Sequence, residues 1–91
     1  TGRVIRRIDM PYYCNHYHAN PDNSILVGDD VDNLELIDIS GDSASPEVLC
    51  AHGTSWHTST CHCHPTWSWD GSRILYASDR DGKINLYLVE P

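Results

Sequence analysis

The sequence predicts an all-β protein of short antiparallel strands, on three observations. Runs rich in strand-forming residues keep a two-residue alternation. Clusters of Asp, Asn, Gly, Ser and Pro separate those runs at short intervals. No segment carries a helical period of useful length. With 91 residues the chain is limited to one small domain, which is marginal unless stapled or docked. Phe is absent, so three Trp and five Tyr supply the aromatic bulk.

The elements follow in order. "RVIRRIDM" alternates Val4 and Ile8 among basic residues and reads as a first strand. "SILVGDD" is a short apolar run closed by acidic turn residues. "NLELIDIS" alternates strictly, with Leu34, Leu36 and Asp38 on one face and Glu35, Ile37 and Ile39 on the other. "PEVLCAH", "CHCHPTWSW", "SRILYASD" and "KINLYLVE" complete the set. Between them lie "NPDNS", "DDVDN", "SGDSAS", "WDGS" and "DRDGK", all turn chemistry.

Two stretches share one plan. In "ANPDNSILVGDDVDNLELIDI" Asp22 precedes Ile25-Leu26-Val27, as Asp70 precedes Ile74-Leu75-Tyr76 in "TWSWDGSRILYASDRDGKINLYLVE". Asp30 and Asp79 close these runs, and Leu34 and Leu36 match Ile84 and Leu86. The offset, about 48 to 50 residues, is that of a β-propeller blade of four antiparallel strands. Residues 1–12 are then the end of a preceding blade, residues 13–52 one blade, and residues 53–91 a final blade or most of it. Such repeats bury their faces against neighbours and cannot stand alone. The chain is therefore expected to be a fragment, about two blades of a larger ring, with the remaining blades as its partners. The competing architecture is a small sandwich of six or seven strands, which leaves the repeat unexplained.

Composition excludes some functions. The formal charge of −7 and only six Lys and Arg argue against nucleic-acid binding, which needs a basic stripe. No apolar run approaches the roughly 20 residues that span a bilayer, so no membrane partner is expected. The four cysteines, Cys14, Cys50, Cys61 and Cys63, are too sparse for a disulfide-dense miniprotein. Reduced thiols and a cytoplasmic location are expected. Asp22, Asp29, Asp30, Asp70 and Asp79 read as turn residues that accept nearby backbone amides.

The chemistry-bearing residues are histidines. His62 and His64, two apart on a strand, would face one way at a spacing that lets two imidazoles reach one cation. Cys61 and Cys63 would then face the other way and pack. His16 and His18 repeat the pattern about one blade earlier, so both pairs would line one pocket between neighbouring first strands. Imidazole donors suit Mn, Fe, Zn or Ni. Neutral imidazole is the ligand form, so metal binding should weaken on acidification. A third cluster, "CAHGTSWHTST", offers His52 or His57 as a proton carrier and Trp56 as a stacking platform for a sugar. The plainer readings are a polar strand face for the histidines and a loop anchored by Trp56.

These motifs carry a resemblance. "HPTWSWDGSRILYASDRDGKINLYLVE" is similar to the last blade of TolB-like propellers. The ordered trio "HYHANPDNSILVGDD", "LCAHGTSW" and "HCHPTWSWDG" resembles the C-terminal blades of oligogalacturonate lyases, polysaccharide lyase family 22, over nearly the whole chain from Tyr13 on. The resemblance implies a seven-bladed propeller and a divalent metal, manganese, held by three histidines and a glutamine. His62 and His64 match the family's His-x-His, and His18, ahead of His16, matches the single histidine. Ser59 stands where the family has its glutamine. His52 and Trp56 are candidates for substrate contact. The implied reaction is metal-assisted β-elimination on short oligogalacturonides, with the base and a substrate-binding arginine in earlier blades, so that this chain alone is expected to be inactive. The alternative is a non-catalytic TolB-like propeller that binds a protein or ligand.

Overall fold

The computed structural model describes residues 1–55 and 61–91. Every regular element among the described residues is a β-strand, in two antiparallel sheets. The first sheet runs β1 (Tyr17–Ala19), β2 (Ile25–Asp29), β3 (Asn33–Asp38) and β4 (Ser45–Ala51), each beside its sequence neighbour. The second runs β5 (Thr66–Trp67), β6 (Ile74–Ser78) and β7 (Asn85–Val89). Its fold class is the one read from alternation and turns.

Register explains which faces meet. Val27 pairs with Leu36 and Asp29 with Leu34, so Ile25, Val27 and Asp29 share a face with Leu34 and Leu36. In the second sheet Trp67 pairs with Ile74, and Tyr76 with Tyr87. These two faces pack on each other: Val27, Leu34, Cys63, Trp67, Ile74 and Tyr76 form one buried cluster. Each large side chain wholly buried there stabilises the fold by about 1.5–3 kcal/mol. Arg80 ties the seam. Its guanidinium lies 4.4 Å from the Tyr87 ring centroid and donates to the His52 carbonyl at 2.6 Å.

The repeated aspartates build the same turn twice. Asp22 Oδ1 accepts the amide and hydroxyl of Ser24, as Asp70 Oδ1 accepts those of Ser72. Asp30 Oδ1 accepts the amides of Asp32 and Asn33 in the β2–β3 turn. Asp79 departs from this pattern by holding Ser55 across 24 residues.

Two strand expectations fail. "RVIRRIDM" forms no strand; an isolated parallel bridge joins Asp9 to Ser43. Alternation alone cannot make a strand where no partner strand lies alongside. "CHCHPTWSW" contributes only Thr66–Trp67, because His64 leaves the extended region at φ 43°. Trp69, two residues beyond the buried Trp67, is fully exposed in the turn after β5.

Both sheets have an outer face. That of the first is lined by Leu26, Ile37 and Ile39, under Ile8, Met10 and Tyr17, around a cavity of about 300 Å³. That of the second is apolar and open, with Leu86 70% and Leu88 68% exposed.

Candidate functional site

The segments leading into β1 and β5 start side by side, each at the inner edge of its sheet. His16 stands just before β1, and His62 and His64 before β5. The ring centroids of His16 and His64 lie 3.9 Å apart, and that of His62 lies 6.1 Å from each. Three imidazoles thus share one end of the seam between the sheets.

Each histidine is placed by something specific. His62 and His64 flank Cys63, which is buried in the seam with its thiol 3.3 Å from the Thr54 hydroxyl. They do not lie on one strand face. His64 reaches the cluster through a left-handed backbone, unusual for a non-glycine residue and more so before a proline such as Pro65. The side-chain amide of Asn15 sits 3.4 Å from Nδ1 of His62. His16 is held by Asp29, whose carboxylate accepts the His16 amide at 2.7 Å and lies 3.1 Å from Nδ1.

The local sequence makes this approach feasible. Gly28 is buried in β2, and Cys14 packs directly over it: an added Cβ would meet Cys14 Sγ at 3.2 Å and Ile37 Cδ1 at 3.1 Å. The missing side chain lets residues 14–16 cross close to β2. The Cys14 thiol is pushed up to about 11, first by burial and then by the nearby Glu35 carboxylate. The Cys63 thiol is pushed up to about 11, chiefly by burial. Both stay protonated at neutral pH and are poor metal ligands as they stand.

His18 does not join the cluster. It lies in β1, where its Nδ1 accepts the Trp67 amide at 3.0 Å, and it lines an open cavity of about 450 Å³ with Pro21, Thr66 and Trp69. His16 takes the place expected for His18, because the chain ahead of β1 turns toward Asp29 while the strand carries His18 against β5. His52 is also corrected: it is wholly buried, its Nδ1 accepts the Thr54 amide at 2.9 Å, and its Nε2 donates to the Asp30 carbonyl at 3.0 Å. That is a structural imidazole with both nitrogens engaged, out of reach of a substrate. Trp56, His57 and Ser59 lie outside the described residues.

Asp29 reads as a turn residue in the sequence, but it lies in β2. The signal was present: it falls on the inward face of β2, two residues after Val27, where the alternation calls for an apolar side chain. An acid at such a position needs partners.

The donor set fits a divalent transition metal in kind, since three imidazoles suit manganese, iron, zinc or nickel. The positions are those of rings packed on one another: among the described residues no three His, Cys, Asp or Glu side chains are disposed as a metal's ligands.

Two antiparallel sheets, each wound strand by strand, stacked face to face with their first strands adjacent, are blades of a β-propeller. No family model matches the chain. Individual proteins do. It is 29% identical to an oligogalacturonide lyase of Pectobacterium atrosepticum, across 99% of this chain and 31% of that protein. It is 30% identical to an oligogalacturonate lyase of Dickeya dadantii, across 85% of this chain and 25% of that protein. The crystal structure of an oligogalacturonate lyase from Vibrio parahaemolyticus superposes with a TM-score of 0.71 at 27% identity, covering 85% of this chain and 23% of the other. The chain is similar to oligogalacturonate lyases, and spans between a quarter and a third of the length of the curated relatives it matches. The Pectobacterium alignment is 123 residues long against a chain of 91, so that relative carries insertions here.

Proposed function

We propose that this chain is two neighbouring blades of an oligogalacturonate lyase-like enzyme that breaks short oligogalacturonides by β-elimination. The observation that carries the reading is the convergence of His16, His62 and His64, from two blades, in a chain similar to such lyases across nearly its whole length. His16, His62 and His64 would hold a divalent metal, manganese in this reading. When bound, such a metal supplies Lewis acidity toward the uronate carboxylate, stabilising the charge that develops as the α proton leaves. The chain's own part is positional: Asp29 and Asn15 hold His16 and His62, and the buried Cys63 anchors His62 and His64 on either side. No residue of this chain is assigned as the base that takes the α proton. The remaining blades would supply it and would cover the open Leu86 and Leu88 face.

The test uses the intact protein. Elemental analysis should find a divalent metal, and digalacturonate should yield the ultraviolet absorbance of an unsaturated uronate. His16→Ala and the His62→Ala, His64→Ala pair should lose both, while His18→Ala should have the smaller effect. A metal-free protein whose activity survives loss of the histidine pair would sink the reading. Absence of any lyase activity in a metal-loaded protein would point instead to a binding propeller.

A further inference from the structure

The cluster contains one group that its three imidazoles do not account for. Asp29 is an acid on the inward face of β2, and its side chain is 3% exposed. A carboxylate so enclosed must be satisfied by donors within the protein. Among the described residues, the groups that meet its carboxylate belong to His16. Oδ1 accepts the His16 amide at 2.7 Å, and Nδ1 of His16 lies 3.2 Å from Oδ1 and 3.1 Å from Oδ2. The Asp29 carbonyl in turn accepts the Asn15 amide at 2.8 Å. An ionised carboxylate only accepts hydrogen bonds, so Nδ1 of His16 must carry the proton.

We infer that Asp29 is a positioning residue that fixes the tautomer of His16, proton on Nδ1, and so leaves the Nε2 lone pair as the donor within the three-histidine cluster. The claim rests on the proposed reading of that cluster. Partners of this kind set ring orientation and raise ligand basicity, and their loss typically weakens metal binding about 10- to 100-fold. A purely structural Asp29 would need only its bond to the His16 amide. Asp29→Asn separates the two roles. Its carbonyl keeps that bond, but its NH₂ then faces Nδ1 and favours the proton on Nε2, the wrong tautomer for ligation.

The experiment uses the intact protein labelled with ¹⁵N-histidine, with the His16 signals assigned by their loss in His16→Gln. The wild type should show His16 protonated on Nδ1. Asp29→Asn should show it protonated on Nε2, with Mn²⁺ affinity, read from the electron paramagnetic resonance of free Mn²⁺, falling about 10- to 100-fold at a nearly unchanged melting temperature. A wild-type His16 protonated on Nε2 overturns the inference. So does an Asp29→Asn variant that binds Mn²⁺ as the wild type does. If the wild type binds no Mn²⁺, the metal reading fails, and the His16 tautomer alone decides the role of Asp29. If Asp29→Asn does not fold, the wild-type tautomer decides it in the same way.

Discussion

His64 holds a backbone conformation, φ 43°, that costs a side-chain-bearing residue about 1–2 kcal/mol relative to the right-handed region. The cost is met because that bend brings its ring to 3.9 Å from His16. Strain at a site with converging ligand-type groups is the pattern expected of function overriding local preference. His64→Gly should relieve it. Offset by the extra entropy of an unfolded glycine, the variant should be neutral to about 1 kcal/mol more stable by urea denaturation. Metal affinity should fall in the same variant. A clear loss of stability would mean the imidazole contributes more to folding than its backbone costs. The cysteines give a second residue-scale expectation. Cys14 and Cys63 titrate near 11 in the folded chain against 9.0 in the reference state. A thiol whose pKa is raised by folding favours the fold fully below the unfolded value and loses that contribution as pH rises through the folded one. Stability should therefore decline between about pH 9 and 11, and both thiols should resist iodoacetamide at pH 8 until the protein unfolds. Rapid alkylation of the folded protein would contradict their burial.

At the scale of elements, β2 is the strand on which the site depends. One face sends Val27 into the seam and Asp29 to His16, and at Gly28 the other face lets Cys14 lie against the backbone. Gly28→Ala tests that approach. A Cβ 3.2 Å from Cys14 Sγ and 3.1 Å from Ile37 Cδ1 overpacks two wholly buried neighbours, at about 1–3 kcal/mol. The usual gain of Ala over Gly in a strand recovers about 0.5–1 kcal/mol. A net loss of about 1 kcal/mol is expected from thermal unfolding, with weaker metal binding as the loop moves; an unchanged protein would show that Cys14 recedes freely. Strands such as β2, β3, β6 and β7 were legible because alternation and turn residues agree there with tertiary pairing. The stretch at 61–65 was not, since nothing in "CHCHP" announces a left-handed histidine. The choice of His16 over His18 was hidden for the same reason: both precede the same turn, and only the partnership with Asp29 distinguishes them.

At the scale of the molecule, the repeat that predicted blades reappears as matching Asp–Ser turns at Asp22 and Asp70, and the similar proteins are of the kind that the motif order suggested. Composition and charge, by contrast, said little about the site, because histidines do not enter the formal charge of −7. One feature of the second sheet governs how this chain would behave by itself. Among the described residues β7 pairs with β6 alone, so its far edge offers unmatched backbone groups there, and Leu86 and Leu88 beside it meet solvent. An uncapped edge next to a greasy face is a template for strand addition. Produced as an isolated 91-residue polypeptide, the chain should come off a sizing column as concentration-dependent oligomers, and Leu86→Lys with Leu88→Lys should return it toward the monomer. A clean monomer at high concentration would show that the face tolerates water. Otherwise the face that further blades would cover in the proposed ring is, in the isolated chain, the place where aggregation begins.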